Sequence, residues 1–251
     1  MKKYLTIVAA LLTGTSALCN ADALLPPPSD AKEIDVTKIL YPVTQPVEIP
    51  EIFAKEGIEY HSMSNIPFGR SYKDVPKVSF AIAYTDDAIL IHYRVSEASR
   101  RAVATHDNDR VWEDSCCEFF SAPDESDGYY YNLEANCAAR ILIECGTVKT
   151  SRENPSKEVM ESVKRWSTYQ DQIFDGIAEP SSWQMTLIVP FRKFYFNHNV
   201  ESLDGRTMRA NFYKCGDFLP STCILTWSPL YAPAKHLHAP NFFGTLHFVK
   251  P

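Results

Sequence analysis

The sequence predicts an all-β fold, a single antiparallel β-sandwich of the jelly-roll kind with a minor helical loop insertion. Short strand-like runs recur along the chain, and Gly, Pro, Asn or Asp turn residues bound most of them. No internal repeat or low-complexity segment divides the chain, which favours one domain. The predicted strands are residues 78–84, 88–95, 116–121, 129–136, 140–145, 183–189, 208–214, 224–227 and 244–249.

Alternation of polar and apolar residues supports strands that bury one face. Along residues 131–137, Asn132, Glu134 and Asn136 share one side of the strand, and the intervening apolar residues share the other. Helical character is confined to residues 156–166, which follow an Asn-Pro pair, and we interpret this segment as the loop insertion.

Residues 1–21 have the order of a secretory signal peptide. Lys2 and Lys3 precede an apolar run over residues 4–12, and small residues follow that run. The run is too short to span a membrane. Small side chains at the third and first positions before the cut favour cleavage after Ala21.

Two other processing routes stay open. Cleavage after Ala23 also places small residues before the cut. Lipoprotein processing would use Cys19, but Leu18 occupies the position where such sites usually have Gly or Ala, so this route is disfavoured. We expect an exported protein in the periplasm, on the cell surface or secreted, with no membrane span after residue 21.

The mature chain is expected to begin with a leader. Residues 22–40 contain three consecutive prolines at positions 26–28, which favour a stiff extended chain rather than a packed element. The sandwich domain is then predicted to occupy residues 41–251.

Charge and motif content argue against several functional classes. The formal net charge is −6 at pH 7 and no cluster of Lys and Arg is present, so nucleic acid is not expected as a partner. The chain has no Gly-rich phosphate loop, serine-nucleophile elbow, zinc-protease helix motif or paired C-x-x-C motif. His236 and His238 could share one face of an extended segment, but no third ligand lies at suitable spacing, so no metal site is assigned.

The cysteines are expected to be buried free thiols. A domain of this size buries an adequate core without disulfides, and cysteine is among the most buried residue types. Cys116 and Cys117 point to opposite sides of a strand and cannot bond to each other. Disulfides that join Cys137 to Cys145 or Cys215 to Cys223 across a turn stay open. The cysteines after Cys19 are Cys116, Cys117, Cys137, Cys145, Cys215 and Cys223.

Glu118 and Glu134 are the best pair of carboxylates for a glycosidase, which needs two such groups flanking the scissile bond. If the strand is regular, its period of two places Trp112 on the same side as Glu118. An aromatic ring covers the apolar face of a pyranose and a carboxylate accepts hydrogen bonds from hydroxyls, so this arrangement also fits sugar binding. The alternative is that Trp112 belongs to the core and Glu118 is a solvated sheet residue.

Six sequence blocks, in the same order, resemble carbohydrate-binding module family 9 and the wider group of DOMON-like sandwiches. Residues 111–120 are similar to the W-E-D-D-x-x-E-x-F signature, and residues 130–136 are similar to the Y-x-N-x-E-x-N strand. The remaining blocks are similar to the W-x-x-x-x-x-I-P-F strand, the N-F-x-x strand, the W-S-P turn and the closing H-x-P-x-x-F-G-x-L; they are residues 183–191, 209–214, 225–229 and 238–246.

This resemblance implies a β-sandwich whose concave sheet face holds a sugar between two tryptophans. It implies that Trp112 is the first aromatic plate and that Glu118 binds sugar hydroxyls. Leu237 replaces the second tryptophan, and His238 or Tyr231 could partly substitute for it. The other residues implied on this face are Glu134, Asn136, Asn211 and Tyr213.

The resemblance also implies a function. We predict an exported, non-catalytic carbohydrate-binding protein that captures an oligo- or polysaccharide, supports carbohydrate catabolism and works beside glycan-degrading enzymes. The alternatives are a glycoside hydrolase, a haem-binding sandwich and a protein-interaction module. No cofactor is assigned; members of the family can carry structural calcium, but the chain has no D-x-D-x-D-G run.

Overall fold

The computed structural model describes residues 23–232 and 235–251, so the predicted signal peptide and Cys19 lie outside the described residues. The strands are β1 (Glu33–Lys38), β2 (His61–Ser62), β3 (Lys77–Tyr84), β4 (Ala88–Glu97), β5 (Arg100–Ala102), β6 (Cys116–Ala122), β7 (Tyr130–Asn136), β8 (Ile141–Val148), β9 (Ser151–Glu153), β10 (Lys164–Ser167), β11 (Phe174–Ile177), β12 (Ser181–Pro190), β13 (Thr207–Cys215), β14 (Leu225–Thr226) and β15 (Gly244–Phe248). The helices are α1 (Ile49–Lys55), α2 (Lys157–Ser162) and α3 (Phe191–Phe194).

These strands form the predicted β-sandwich, and each strand predicted from the sequence overlaps an observed one. The first sheet has the order β10-β12-β4-β3, with β2 paired to β3. The second sheet has the order β15-β13-β6-β7-β8-β9, with β14 paired to β13. Strands β5 and β11 form a separate two-stranded ladder.

Strand β1 joins the two sheets along one edge of the sandwich. Its first part, from Glu33 to Val36, pairs in parallel with β15, and Thr37 and Lys38 then pair with β3. The prediction that residues 22–40 form an extended leader is therefore wrong for β1, because this strand pairs within the sheet. Burial of Ile34 and Val36 between exposed neighbours shows the period-two pattern of a strand.

The helical loop insertion predicted over residues 156–166 is helical only in its first half. Helix α2 begins after Ser156, whose hydroxyl accepts a hydrogen bond from the backbone N–H of Val159, as an N-cap does. After α2 the chain turns into β10, where Trp166 lies opposite Thr186 of β12. The second half of the segment is therefore the edge strand of the first sheet.

Aromatic rings fill the space between the two sheets. Phe80 of β3 stacks on Phe212 of β13 with 3.7 Å between ring centroids. Trp227 meets both rings edge-on, at 5.8 Å from Phe80 and 5.9 Å from Phe212. This contact links the centres of the two sheets.

The outer faces of both sheets are covered as well. Helix α1 places Ile49 and Phe53 against Leu90 on the outer face of the first sheet. In the second sheet every residue of β6 and β7 is buried, so these strands are covered on both sides. Polar side chains on the outer face of the second sheet consequently need partners within the protein or in a ligand.

All six described cysteines are buried and unbonded, consistent with the prediction of free thiols. None of the helices within the described residues is long and apolar enough to cross a membrane.

Phe212→Ala is expected to lower the free energy of unfolding by about 3–5 kcal/mol, because it removes the ring that joins the two sheets and leaves a cavity. Urea denaturation of the mature protein measures this change. The matched control is Phe218→Ala, since Phe218 is 62% exposed and its truncation should change stability by no more than about 0.5 kcal/mol. Equal effects of the two substitutions would contradict the assignment of Phe212 to the core.

Candidate functional site

A cavity of about 400 Å³ opens on the outer face of the second sheet. Glu118 and Phe120 of β6 and Glu134 of β7 form its floor. The antiparallel register places Glu118 directly opposite Glu134 on one side and opposite Tyr213 of β13 on the other. The two predicted carboxylates therefore meet through strand pairing.

Trp112 forms a half-buried wall of this cavity and is held by its backbone. It lies in a 3-10 turn, Val111–Glu113, and its carbonyl accepts a hydrogen bond of 3.1 Å from the N–H of Asp217. Its ring packs on a small apolar cluster that includes Leu142 and Cys215. The predicted Trp112 and Glu118 thus line one cavity, although the turn, rather than a continuous strand, positions the tryptophan.

A buried carboxylate anchors the turn. Asp114 accepts hydrogen bonds from Arg101 Nη1 at 2.7 Å, from the backbone N–H groups of Val103 and Ala104 at 3.0 Å each, and from Asn136 Nδ2 at 2.8 Å. Asn136 also accepts bonds from two backbone N–H groups through its Oδ1. The structure therefore places Asn136 beneath the tryptophan turn and not among the cavity-lining residues.

The floor carboxyl groups are buried and only half satisfied. Glu118 is 2% exposed and its Oε1 accepts a bond of 2.6 Å from the thiol of Cys215. Glu134 is 4% exposed and its Oε1 accepts a bond of 2.9 Å from Asn132 Nδ2. The Oε2 atoms of both groups are buried and have no hydrogen-bond partner among the described residues.

Burial sets the charge state of these two groups. It raises the pKa of Glu118 well above its usual range, and the neighbouring Cys215 and Glu134 act in the same direction. Burial also raises the pKa of Glu134 to about 7, despite the opposing hydrogen bond from Asn132. At neutral pH the floor therefore carries at least one protonated carboxyl group, which can donate as well as accept a hydrogen bond.

Asn132 and Arg152 connect the floor to the neighbouring strands. Arg152 Nη2 donates to Asn132 Oδ1 at 2.6 Å, and its guanidinium lies 4.1 Å above the ring of Tyr130. Asn132 Nδ2 also reaches Glu144 Oε2 at 3.4 Å. The alternation of the strand places Asn132 on the same face as Glu134. Alternation alone does not predict that Asn132 bonds to Glu134.

His238 lines the cavity. Its Nδ1 lies 3.0 Å from the hydroxyl of Tyr130, and its ring centroid lies 5.0 Å from that of Phe120. Burial lowers the pKa of His238 to about 3, so the imidazole is neutral at physiological pH. Leu237 also lines the cavity where the second tryptophan was expected, whereas exposed Tyr231 does not.

Two further predicted residues hold the walls instead of lining the cavity. Asn211 donates to the carbonyl of Ser228 at 3.2 Å and accepts from the N–H of Ser228 at 2.9 Å, which fixes the turn after β14. Tyr213 is fully buried and its hydroxyl donates to the carbonyl of Leu237 at 3.3 Å. The structure thus gathers Trp112, Glu118, Glu134 and His238, and sets Asn136, Asn211 and Tyr213 apart from them.

Several lining residues come from loops that carry no motif. They join the cavity only when distant parts of the chain meet, so the sequence offered no signal for them beyond their polarity. The charged members of this set are Arg70, Lys149, Asp217 and Lys235. Glu144 of β8 and His236, which the sequence analysis considered together with His238, also line the cavity.

The sandwich belongs to a class of carbohydrate-binding modules. The model of carbohydrate-binding family 9 matches residues 47–248, and the chain belongs to this family, whose members are binding modules and typically non-catalytic. No curated protein matches the chain.

Solved structures agree with this assignment. The crystal structure of a candidate carbohydrate-binding protein from Bacteroides uniformis ATCC 8492 has a TM-score of 0.82 and 44% sequence identity, over 87% of this chain and 99% of that chain. A family 9 module from Caldicellulosiruptor kristjanssonii in complex with glucose has a TM-score of 0.55 and 11% identity, over 88% of this chain and 97% of the module. A module from the same organism in complex with cellotriose has a TM-score of 0.54 and 10% identity, over 88% and 95%. The last two likenesses show the fold.

Glu134→Gln is expected to reduce the pH dependence of stability. Because burial raises the pKa of Glu134 from 4.5 to about 7, the folded protein keeps a proton that the unfolded chain has lost over this interval. The stability contributed by this proton is fully present below pH 4.5 and is lost as the pH rises through 7. The loss amounts to about 3 kcal/mol at 1.36 kcal/mol per pKa unit.

Urea denaturation of both proteins between pH 5 and 8 measures this effect. As the pH rises, the wild type should lose the contribution of Glu134 to its free energy of unfolding and Glu134→Gln should not. The free energy of unfolding of the variant minus that of the wild type should therefore increase with pH. The exposed Glu179 provides the control, since Glu179→Gln at this surface position should change stability by no more than about 0.5 kcal/mol. Parallel stability curves for the wild type and Glu134→Gln would contradict the burial argument.

Proposed function

We propose that this protein binds a glycan without catalysis and takes a sugar unit into the cavity above Glu118 and Glu134. The observation that carries the proposal is the pair of buried Oε2 atoms at the cavity floor, which have no hydrogen-bond partner among residues 23–232 and 235–251. A buried polar atom without a partner costs about 1–3 kcal/mol. A ligand rich in hydroxyl groups would remove this cost at both positions, and it suits a floor that both donates and accepts.

Trp112 supplies the apolar half of the recognition. The ring is half-buried, packs on Leu142 behind it and borders the cavity, so a pyranose can stack on it at little conformational cost. Polar groups below and an aromatic ring at the side match the two kinds of surface that a pyranose offers.

The walls favour a neutral ligand over a strongly charged one. Arg70, Lys149 and Lys235 contribute positive charge, and Glu144 and Asp217 contribute negative charge around the same opening. Hydroxyl groups can donate hydrogen bonds to the acidic side chains and accept them from the basic ones. A polyanion would be repelled by the acidic side chains, and a polycation by the basic ones. The volume of about 400 Å³ lies within the usual range of small-ligand sites.

Glucose and cellotriose are the first probes to choose. Family 9 modules of similar fold are described in complex with these two ligands. Leu237 stands where a second aromatic plate would lie, so a one-sided stack loses about 1 kcal/mol or more of aromatic contact. We therefore propose weak, reversible capture of a gluco-configured chain.

The cellular role follows from the export signal in the sequence. We propose that the exported protein holds a soluble or particulate glycan outside the inner membrane and delivers it to partner enzymes of carbohydrate catabolism. This part of the proposal rests on Lys2, Lys3 and the apolar run that follows them.

Trp112→Ala is expected to weaken binding of the best glucose-based ligand at least fivefold, because it removes about 1 kcal/mol or more of stacking. Isothermal titration calorimetry on the mature protein measures the affinity, and near-ultraviolet circular dichroism confirms that the variant is folded. Trp166→Ala is the matched control, because Trp166 is a half-buried tryptophan on β10 that does not line the cavity. Equal affinities of the two variants, or no binding of any glycan by the folded wild type at millimolar concentration, would contradict the proposal.

Leu237→Trp is expected to strengthen binding of the same ligand about fivefold, because it adds a second aromatic ring to the cavity lining. The control is Leu40→Trp, which adds a tryptophan at a leucine that is 71% exposed and outside the cavity. A gain in both variants would indicate nonspecific stacking. Unchanged affinity in Leu237→Trp would show that this part of the cavity lining does not face the sugar.

A further inference from the structure

We propose that the thiols of Cys116 and Cys215, together with the carboxyl group of Glu118, form a binding site for a thiophilic divalent cation, with zinc(II) as the best fit. This site goes beyond glycan binding and does not depend on it. Two sulfur ligands and one oxygen ligand are a combination that zinc(II) accepts, whereas magnesium and calcium prefer oxygen ligands alone.

Strand register brings the three groups together. Cys116 of β6 lies directly opposite Cys215 of β13, and Glu118 follows Cys116 by two residues on the same face of β6. One ligand atom of each residue lies within 4.8 Å of the other two. No other group of three such ligands meets this condition in the part of the chain that the structure describes.

The distances require only side-chain adjustment to hold an ion. Zinc–sulfur bonds of 2.3 Å and zinc–oxygen bonds of 2.0–2.2 Å in a tetrahedral site place ligand atoms roughly 3.3–3.8 Å apart. Cys215 Sγ and Glu118 Oε1 are 2.6 Å apart, joined by the thiol proton. An ion that replaces this proton would move the two atoms apart by about 1 Å, which rotation of two unbranched side chains provides.

The backbone that carries the site is rigid. Strand β6 lies between β7 and β13 in the interior of the second sheet. Cys116 is fully buried, and Cys215 and Glu118 are 3% and 2% exposed. A preformed set of ligands at a fixed spacing avoids the ordering cost that a flexible loop would impose.

No ion pair among the described residues competes for the ligand atom of Glu118. Glu118 forms no ion pair with any described residue, and the nearest lysine in sequence to Cys215, Lys214, faces the other side of the sheet and pairs with Glu97 at 2.9 Å. Zinc binding would replace the thiol protons of Cys116 and Cys215 and the carboxyl proton of Glu118, and would release them to solvent.

The cavity gives the ion a route to the site. Cys215 and Glu118 both line the cavity, and Cys116 lies behind them. The three protein ligands leave one tetrahedral position for a water molecule. Because Glu118 is shared, bound zinc and bound glycan are expected to exclude each other.

Titration of the reduced mature protein with cobalt(II), followed by displacement with zinc(II), tests the site. The expected result is one ion per chain, with the visible absorption typical of tetrahedral cobalt(II) and a sulfur-to-cobalt charge-transfer band. Cys116→Ser/Cys215→Ser should lose this absorption and bind zinc at least tenfold more weakly, whereas Cys223→Ser should behave like the wild type, because Cys223 lies outside the cluster. Absence of sulfur-to-cobalt absorption in the wild type, or its persistence in the double variant, would overturn the proposal.

A measurement on the unaltered protein guards against a double variant that does not fold. Zinc should slow alkylation of Cys116 and Cys215 in mild denaturant, as mapped by peptide mass spectrometry, by a larger factor than alkylation of Cys145, which slows only through the stabilisation of the whole fold. Equal rates with and without zinc would overturn the site. The Trp112→Ala protein separates the two proposals, since it should lose glycan affinity and keep zinc affinity.

Discussion

Strand β6 pairs with β7 on one side and with β13 on the other, and this double pairing determines what lies at the cavity floor. The register sets Glu118 opposite both Glu134 and Tyr213. A slip of one residue would turn Glu118 into the space between the sheets and bring Phe119 to the outer face. The ring of Phe119 lies 5.0 Å from that of Phe212 in the core, so the inter-sheet packing stabilises the register that builds the site.

Both faces of β6 and β7 are buried, and the polar side chains of the second sheet fall into two groups according to whether their hydrogen bonds are made within the protein. Asn136 and Asn211 bond fully to the backbone and to neighbouring side chains, so they maintain the shape of the walls. Glu118 and Glu134 each keep one oxygen at the cavity floor that bonds to no residue in the part of the chain that the structure describes. Polar residues whose hydrogen bonds are all made within the protein stabilise the fold. Polar residues that keep an atom without a hydrogen bond are the ones that can bind a ligand.

The sequence predicted the sandwich because its strands alternate and turn residues separate them. Strand alternation and the family resemblance also pointed to Glu118 and Glu134, which the structure places at the cavity floor, and to Trp112, which a 3-10 turn rather than a strand places in the wall. Strand alternation could not show which polar residues on that face make their hydrogen bonds within the protein. Strand β1 was hidden because the preceding prolines dominate the local pattern, and its pairing is entirely with distant strands. The charged loop residues around the opening were unpredictable for the same reason, since only tertiary contacts bring them together.

We propose that a sugar binds against Trp112 above the two floor carboxyl groups. The chain has four tryptophans, and their indole N–H signals can be followed separately by nuclear magnetic resonance during titration with cellotriose. Trp183 and Trp227 are buried between the sheets and Trp166 lies on the outer edge strand, so none of them faces the cavity. A selective, saturable shift of the Trp112 signal is the predicted result. Saturable shifts at another tryptophan with none at Trp112 would contradict it.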